Sequence, residues 1–262
     1  MKKKKKGCFF NDTATTEIYT ISLHDALKKK KQIKLKYIMK KLAFLIILVG
    51  SIAFAQKPIT KNLGDFNTIK VFNGLTLKLH KANKPTIVIT GSKAEDVSVK
   101  NSNGTLKIKL KFPDSFTAED VVVTINYSKK IAIIDANEGA TITADEAIKQ
   151  QQLELKVQEG AKIKVPVEVK YLTIKAVSGG TIKLQGTTQN QNIEATTGGI
   201  YKSYNLESKQ TTALAASGAI IEVKTSEVLD AKVRFGGTIF YKGTPEVLKT
   251  KKIIGGTIKN KN

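Results

Sequence analysis

Phe235-Gly236-Gly237-Thr238-Ile239 is followed nineteen residues later by Ile254-Gly255-Gly256-Thr257-Ile258. Upstream, the same small-residue pair stands ahead of an apolar position as Ser217-Gly218-Ala219-Ile220, Thr197-Gly198-Gly199-Ile200-Tyr201, Ser178-Gly179-Gly180-Thr181-Ile182, Glu159-Gly160-Ala161-Lys162-Ile163 and Glu138-Gly139-Ala140-Thr141-Ile142. Aligned on the first residue of each pair, the positions run 138, 159, 179, 198, 217, 236 and 255, a period of 19 to 21 residues. A fixed period of this length marks a solenoid, in which each repeat buries its apolar side only against its neighbours. Between the pairs lie Leu153-Glu154-Leu155-Lys156-Val157, Leu172-Thr173-Ile174-Lys175-Ala176 and Leu229-Asp230-Ala231-Lys232-Val233. Their apolar residues are two apart, the strand period. Leucine-rich repeats share the length, but their Leu-x-x-Leu-x-Leu and Asn ladder is missing. The prediction is an all-β fold in which residues 131–262 wind as a β-helix-like solenoid. Its corners are Gly139, Gly160, Gly179, Gly180, Gly198, Gly199, Gly218, Gly236, Gly237, Gly255 and Gly256, where the backbone turns tightly and glycine tolerates the φ values required.

Residues 57–130 read as an opening section of strands and hairpins. Thr68–Phe72 and Leu75–Leu79 flank Asn73-Gly74, which predicts a two-residue type I′ hairpin. Asn103-Gly104, ahead of Leu106–Leu110, is a second turn candidate. At the far end, Lys259-Asn260-Lys261-Asn262 puts charge where an open sheet edge would otherwise invite pairing.

The front of the chain is of another kind. Residues 11–27 resemble the conceptual translation of a sequencing-library adapter, flanked by lysine runs, so residues 1–38 are set aside as a non-native, disordered segment. Met39 then opens a secretory signal: Lys40-Lys41, the apolar run Leu42–Phe54, and a small-x-small site that places cleavage between Ala55 and Gln56. The apolar run is too short for a permanent membrane span, and no later run reaches spanning length. The expected mature domain is residues 56–262, exported to the periplasm or the outer cell surface.

Of the formal charge of +22, much lies in this front end. From Gln56 onward 31 basic residues face 19 acidic ones, a net of +12. The only cysteine, Cys8, precedes Met39, so no disulfide or cysteine metal site is available to the mature domain.

The glycine-cornered repeats, the segment Gly236-Gly237-Thr238-Ile239-Phe240-Tyr241-Lys242-Gly243-Thr244-Pro245 and the opening Asp65–Leu75 resemble the auto-transporter adhesin head domain, the GIN domain (DUF2807) of Bacteroidota envelope proteins. The resemblance covers about residues 63–259. It implies a β-solenoid at the cell envelope, with an adhesin-like role and no established catalytic residues. Glu138 and Glu159 stand where a serine is typical of the family, which implies irregular first coils.

Chemical motifs are sparse. His80 is the single histidine after the front end, and without a partner it supports no zinc site. No Gly-x-Ser-x-Gly elbow or phosphate loop occurs, and Thr-Ile or Ala-Ile after the glycines replaces the Gly-x-Asp of calcium-binding β-rolls. No catalytic residue, cofactor or metal is therefore assigned. The close acidic pairs Asp135 with Glu138 and Asp145 with Glu146 are the candidates for a polysaccharide-cleaving site, which needs paired carboxylates; they read as solvated turns. The basic excess points to an anionic envelope polymer, a glycan or a surface protein. Nucleic acid is disfavoured, because the basic residues are nearly all lysine and bidentate phosphate recognition favours arginine. The lysines alternate along the strands without clustering, which reads as solvated outward faces. Tyr201, Tyr204, Phe240 and Tyr241 are candidates for a sugar-stacking patch, or for packing. The expected function is a non-catalytic envelope binding module; a self-assembling scaffold and a polysaccharide-active enzyme are the rivals.

Overall fold

Each corner is a two-residue turn whose central residues both have positive φ: 51° and 73° at Glu138-Gly139, 50° and 70° at Thr197-Gly198, 46° and 77° at Phe235-Gly236. The N–H after the pair donates to the carbonyl before it, Ala140 to Asn137 at 3.0 Å and Gly199 to Thr196 at 2.9 Å. This is type I′ geometry. Thr197 tolerates the left-handed region at some cost, and Gly198, with open space around its Cα, is there for its φ. Gly199 has another reason. A Cβ on it would lie 2.0 Å from the Ala176 carbonyl oxygen one coil earlier. The repeat unit is therefore a residue-glycine pair at 138–139, 159–160, 178–179, 197–198, 217–218, 235–236 and 254–255. Gly180, Gly199 and Gly237 sit one step past the turn, where neighbouring backbone passes close, and Ala140, Ala161 and Ala219 take that place in other coils. The first two corners, with Glu138 and Glu159, have the same turn geometry as the rest, contrary to the irregularity expected of them.

The computed structural model describes residues 23–49, 57–111 and 120–262. The chain divides into two units, Met1–Ala55 and Gln56–Asn262. In the first, α1 (Leu23–Val49) runs without a break across Met39. The disordered arm expected to reach residue 38 is thus corrected over Leu23–Ile38. That stretch is rich in Leu, Lys and Ala and free of Gly and Pro, and its helix propensity outweighs the repulsion among its lysines. No helix among the described residues is long and apolar enough to cross a membrane. The cleavage pair Ala55 and Gln56 lies outside the described residues.

The second unit is built of strands: β1 (Ile59–Asn62), β2 (Thr68–Val71), β3 (Thr76–Lys81), β4 (Thr86–Thr90), β5 (Val97–Ser102), β6 (Thr105–Leu110), β7 (Val122–Tyr127), β8 (Ile133–Ala136) and β9 (Thr141–Ala144). The long strands follow as β10 (Ile148–Val157), β11 (Lys162–Ala176), β12 (Thr181–Ala195), β13 (Ile200–Ala216) and β14 (Ile220–Arg234), then β15 (Thr238–Lys242), β16 (Val247–Ile253) and β17 (Thr257–Asn260). β10 to β14 pair parallel in sequence, each residue opposite the one a coil later, as Ile163 opposite Ile182 and Ala176 opposite Ala195. The half of each coil after a glycine corner joins one face, continued by β9, β15 and β17; the half before the next corner joins the other, continued by β8 and β16. Corners bond to the corners above them, Gly139 N to Glu159 O at 2.9 Å and Gly198 N to Ser217 O at 3.0 Å.

The solenoid begins earlier than residue 131. β2 and β3 do not pair across Asn73-Gly74. β2 pairs parallel with β6 and β8, and β3 with β7 and β9. Gly74 N donates to Glu138 O at 2.8 Å. Asn73-Gly74 is thus the first solenoid corner, and the hairpin expected there is corrected. Asn103-Gly104 does join an antiparallel hairpin, β5 with β6. Antiparallel β4 and β1 extend the other face beyond β7.

Buried side chains stack in columns, Ile142, Ile163, Ile182, Tyr201, Ile221 and Ile239 in one, and Ala136, Val157, Ala176, Ala195, Ala215 and Val233 in another. The small second column lets the two faces approach near the corner.

Candidate functional site

Opposite the glycine corners the coils bend a second time, and across β12, β13 and β14 a buried polar network lies at the bend. Gln191 takes a position that is leucine one coil earlier, at Leu172, and two coils later, at Leu229. Its Nε2 donates to Ser208 Oγ at 2.9 Å and Thr211 Oγ1 at 3.0 Å, and its Oε1 accepts from the Tyr201 hydroxyl at 2.8 Å. Thr225 completes the cluster, 2.6 Å from Thr211 Oγ1. Burial pushes the Tyr201 phenol far above its ordinary value, so it stays a neutral donor. The partners satisfy one another, so the network serves the fold and leaves no group to act on a ligand.

Over this bend runs a groove of about 680 Å³, lined by Thr187, Gln189, Ser208, Thr225 and Ser226 among others. Most of its charges are paired: Lys224 bonds Glu207 at 2.7 Å within the lining, Lys209 and Glu168 bond Glu227 and Lys149 outside it, each at 2.9 Å, and Lys170 lies 5.5 Å from the Tyr171 ring centre. The hydrogen bond from Lys224 and its charge hold the Glu207 carboxyl below its ordinary value, and the hydrogen bond from Lys209 does the same for Glu227.

A second groove of about 590 Å³ lies along the face that follows the glycine corners. Lys164, Lys183 and Lys202 stand in one column of it, register partners on three successive coils. At the next position a bulge sets two residues of β13, Ser203 and Tyr204, against one of β12, Leu184. A bulge re-aims a side chain, and here Tyr204 lines the groove with the Lys242 ammonium 4.8 Å from its ring centre. Burial and the nearby Glu222 charge raise the Tyr204 phenol above its ordinary value. The lysines do cluster, and the earlier reading of scattered positions is corrected. The signal was in the numbering, since 164, 183 and 202 repeat at the coil period of nineteen.

The acidic pairs do not form sites. Asp135 lies 3.5 Å from Lys70 Nζ and accepts from Asn137 Nδ2 at 3.1 Å. Glu138, in the corner turn, accepts from Asn73 Nδ2 at 2.6 Å. Asp145 lines the lysine groove, whereas Glu146 lines a different one beside Tyr127, so the structure separates them. His80 is exposed on β3. The aromatic set also divides: Tyr201 and Tyr241 are buried, Tyr204 is half-buried in the groove, and Phe240 lies under the Lys261 ammonium at 4.8 Å. Gly186 and Gly243, which the repeat alignment left out, make the second bend; a Cβ on either would press a carbonyl oxygen one coil earlier at 2.1 and 2.2 Å.

Residues 65–245 match the model of the family described as "Putative auto-transporter adhesin, head GIN domain". No curated protein matches the chain. Solved structures share its fold. A "putative adhesin" from Bacteroides fragilis is 21% identical with a TM-score of 0.72, the match covering 79% of this chain and 98% of that one. A "putative adhesin" from Parabacteroides merdae is 20% identical with a TM-score of 0.62, over 79% and 96%. A "Putative lipid binding protein" from Parabacteroides distasonis is 20% identical with a TM-score of 0.58, over 79% and 98%.

Proposed function

This chain belongs to the auto-transporter adhesin head GIN domain family, and on that premise we propose that it is an exported, non-catalytic module that displays its solenoid faces to a component of the bacterial cell envelope. The observation that carries this reading is the pair of open grooves running across successive coils, one with most of its charges in ion pairs and one basic. A long face built of repeated rungs suits an extended ligand better than a small substrate, which is held in a pocket by a few convergent groups. Engagement of Asp135 and Glu138 in bonds within the fold speaks against the carboxylate pair of a glycan-cleaving enzyme. Against a scaffold that grows rung on rung stands Lys252. It stands on β16 opposite Val233 of the buried column and is exposed, and a charge at that register position opposes pairing with a further strand.

Export follows from Met39–Ala55 read as a cleaved signal, leaving Gln56 first. The test is expression in a bacterium with fractionation, N-terminal sequencing of the product, and binding of the purified chain to isolated envelopes. The reading expects a product beginning at Gln56 in the periplasm or at the surface, and saturable envelope binding without glycan turnover. Retention in the cytoplasm with an intact front end would overturn export. Absence of envelope binding would overturn the module.

A further inference from the structure

We infer that the column Lys164, Lys183 and Lys202 is the binding site for an acidic polysaccharide laid along the solenoid axis; this deepens the display-module reading and rests on it. Three lysines stand directly opposite one another on consecutive parallel strands, spaced by the coil rise of roughly 4.8 Å. Like charges placed directly across a sheet destabilise it. Other lysine rows carry an ion pair, Lys70 of the row with Lys107 and Lys100 bonding Asp135, and Lys156, opposite Lys175, bonding Glu154; Lys232 opposite Lys251 is a pair of two without one. None of the ion pairs among the described residues includes a member of this column. The two acids in the groove are Asp145 and Glu222, the latter opposite Lys202 on the next coil though not in an ion pair with it, and they are outnumbered by the column and Lys242. A row of unpaired cations lining a groove is a surface whose complement is a row of anions.

The surroundings select the kind of polyanion. The groove is open and runs across the coils, so it takes an extended chain. Gln185 and Asn205, exposed beside the column, bring amide donors and acceptors, and the bulge brings the Tyr204 ring into the lining. Amides and an aromatic face are what hydroxyl-rich sugar rings use; the lysines then meet the acidic groups as point charges. A bilayer fits less well. The exposed large apolar side chains of the coil are Tyr171 on β11 and Phe235, Val247, Leu248 and Ile254 at the last corners and β16, and none of them lines this groove. Nucleic acid fits less well again, because no arginine lines the groove for bidentate phosphate contact.

The test uses the full chain and four probes: polygalacturonate, neutral dextran, vesicles containing phosphatidylglycerol, and isolated envelopes. Three variants are compared with the wild type. One is the triple Lys164→Gln, Lys183→Gln, Lys202→Gln; one changes the same positions to Arg; one removes equal charge elsewhere, at the exposed Lys84, Lys100 and Lys109. Expected is polygalacturonate binding that weakens with salt, falls about tenfold or more in the column Gln triple, falls less than about twofold in the distant triple, and survives in the Arg triple. A thermal melt guards against misfolding, and the Gln triple should melt no lower than wild type, since repulsion has been relieved. Equal losses in the two Gln triples, no loss in the column triple, or binding to vesicles with none to polygalacturonate overturns the inference. Should the column triple still bind isolated envelopes like wild type, the site assignment falls while the display module stands. Should wild type itself ignore envelopes, the module reading falls.

Discussion

Asn73-Gly74 and Asn103-Gly104 have the same sequence and nearly the same backbone, φ 58° and 68° in one and 50° and 75° in the other. One is a solenoid corner that sends its flanking strands to two faces; the other is a hairpin that pairs them. The turn does not decide which. The phase of the flanks does. In a two-residue hairpin the residues facing each other across the turn share a side of the sheet. Around Asn103-Gly104 five of the six partners agree in kind, among them Val97 with Leu110, Val99 with Ile108, Lys100 with Lys107 and Ser102 with Thr105; Asn101 with Leu106 differs. Around Asn73-Gly74 the same pairing would match Phe72 with Leu75 beside the turn, but would then set Val71 against Thr76, Lys70 against Leu77 and Ile69 against Lys78, polar against apolar at three successive steps. Such a hairpin cannot bury one face. Splaying the strands lets Ile69, Val71, Leu75, Leu77 and Leu79 all point into one interior, where they are buried. The later corners obey the same rule; around Ser178-Gly179 the hairpin partners would be Lys175 with Ile182 and Ile174 with Lys183.

This contrast can be broken by substitution. The largest effect belongs to the corner's flank. Leu77→Ala empties a fully buried site between two faces and should cost about 2–5 kcal/mol. Val99→Ala, on the half-buried outer strand of the hairpin, should cost less than about 1 kcal/mol. Denaturant titration of both variants measures the difference, and equal losses would mean the two turns sit in equivalent surroundings. Next comes the division of labour between adjacent glycines. Gly199→Ala drives a methyl into the Ala176 carbonyl and should cost above about 2 kcal/mol, whereas Gly198→Ala has open space and meets only the left-handed penalty of about 1–2 kcal/mol.

How much could be read in advance follows from these particulars. The coils were legible because Gly-x-Ile recurs with period nineteen and because strand residues alternate strictly. Reach into residues 68–81 is not legible in the turn itself, because a type I′ signature fits hairpin and corner alike and the phase of its two flanks separates them. The Lys164, Lys183 and Lys202 column escaped for a related reason: alternation was followed along each strand and not from coil to coil. The second bend was hidden because its residues vary. Gly186 and Gly243 make it in two coils, and in the intervening ones a bulge and the hydrogen-bonded hydroxyls of Ser208, Thr211 and Thr225 stand instead. The helix over Leu23–Val49 was missed because the lysine runs were weighed as repulsion alone.

Two smaller effects sharpen the account. Asn73 Nδ2 donates to Glu138 and its Oδ1 accepts from Leu110 N at 3.1 Å, while Asn103 makes no side-chain hydrogen bond among the described residues. Asn73→Gly keeps the positive φ and should lose about 1 kcal/mol, with Asn103→Gly near neutral. The smallest effect is the pH response of the ion-paired groove. Glu207 and Glu227 have folded-state pKa values below the unfolded one, so the stability they add is present above the ordinary carboxylate value and is lost as pH falls through the depressed one. Glu207 is exposed and Glu227 half-buried at the surface, so the change is slight and fades with salt. Thermal melts between about pH 6 and pH 3 should show a small low-salt decline that shrinks in Glu207→Gln with Glu227→Gln.

The most direct test is which strand lies beside β3. In a Cys8→Ser background, cysteines at Thr76 and Thr141 stand on register partners of adjacent parallel strands, whereas cysteines at Val71 and Thr76 would meet only in a hairpin. Under mild oxidation the winding described above yields the 76–141 disulfide and leaves 71–76 reduced. Ready closure of 71–76, with 76–141 left open, would contradict it.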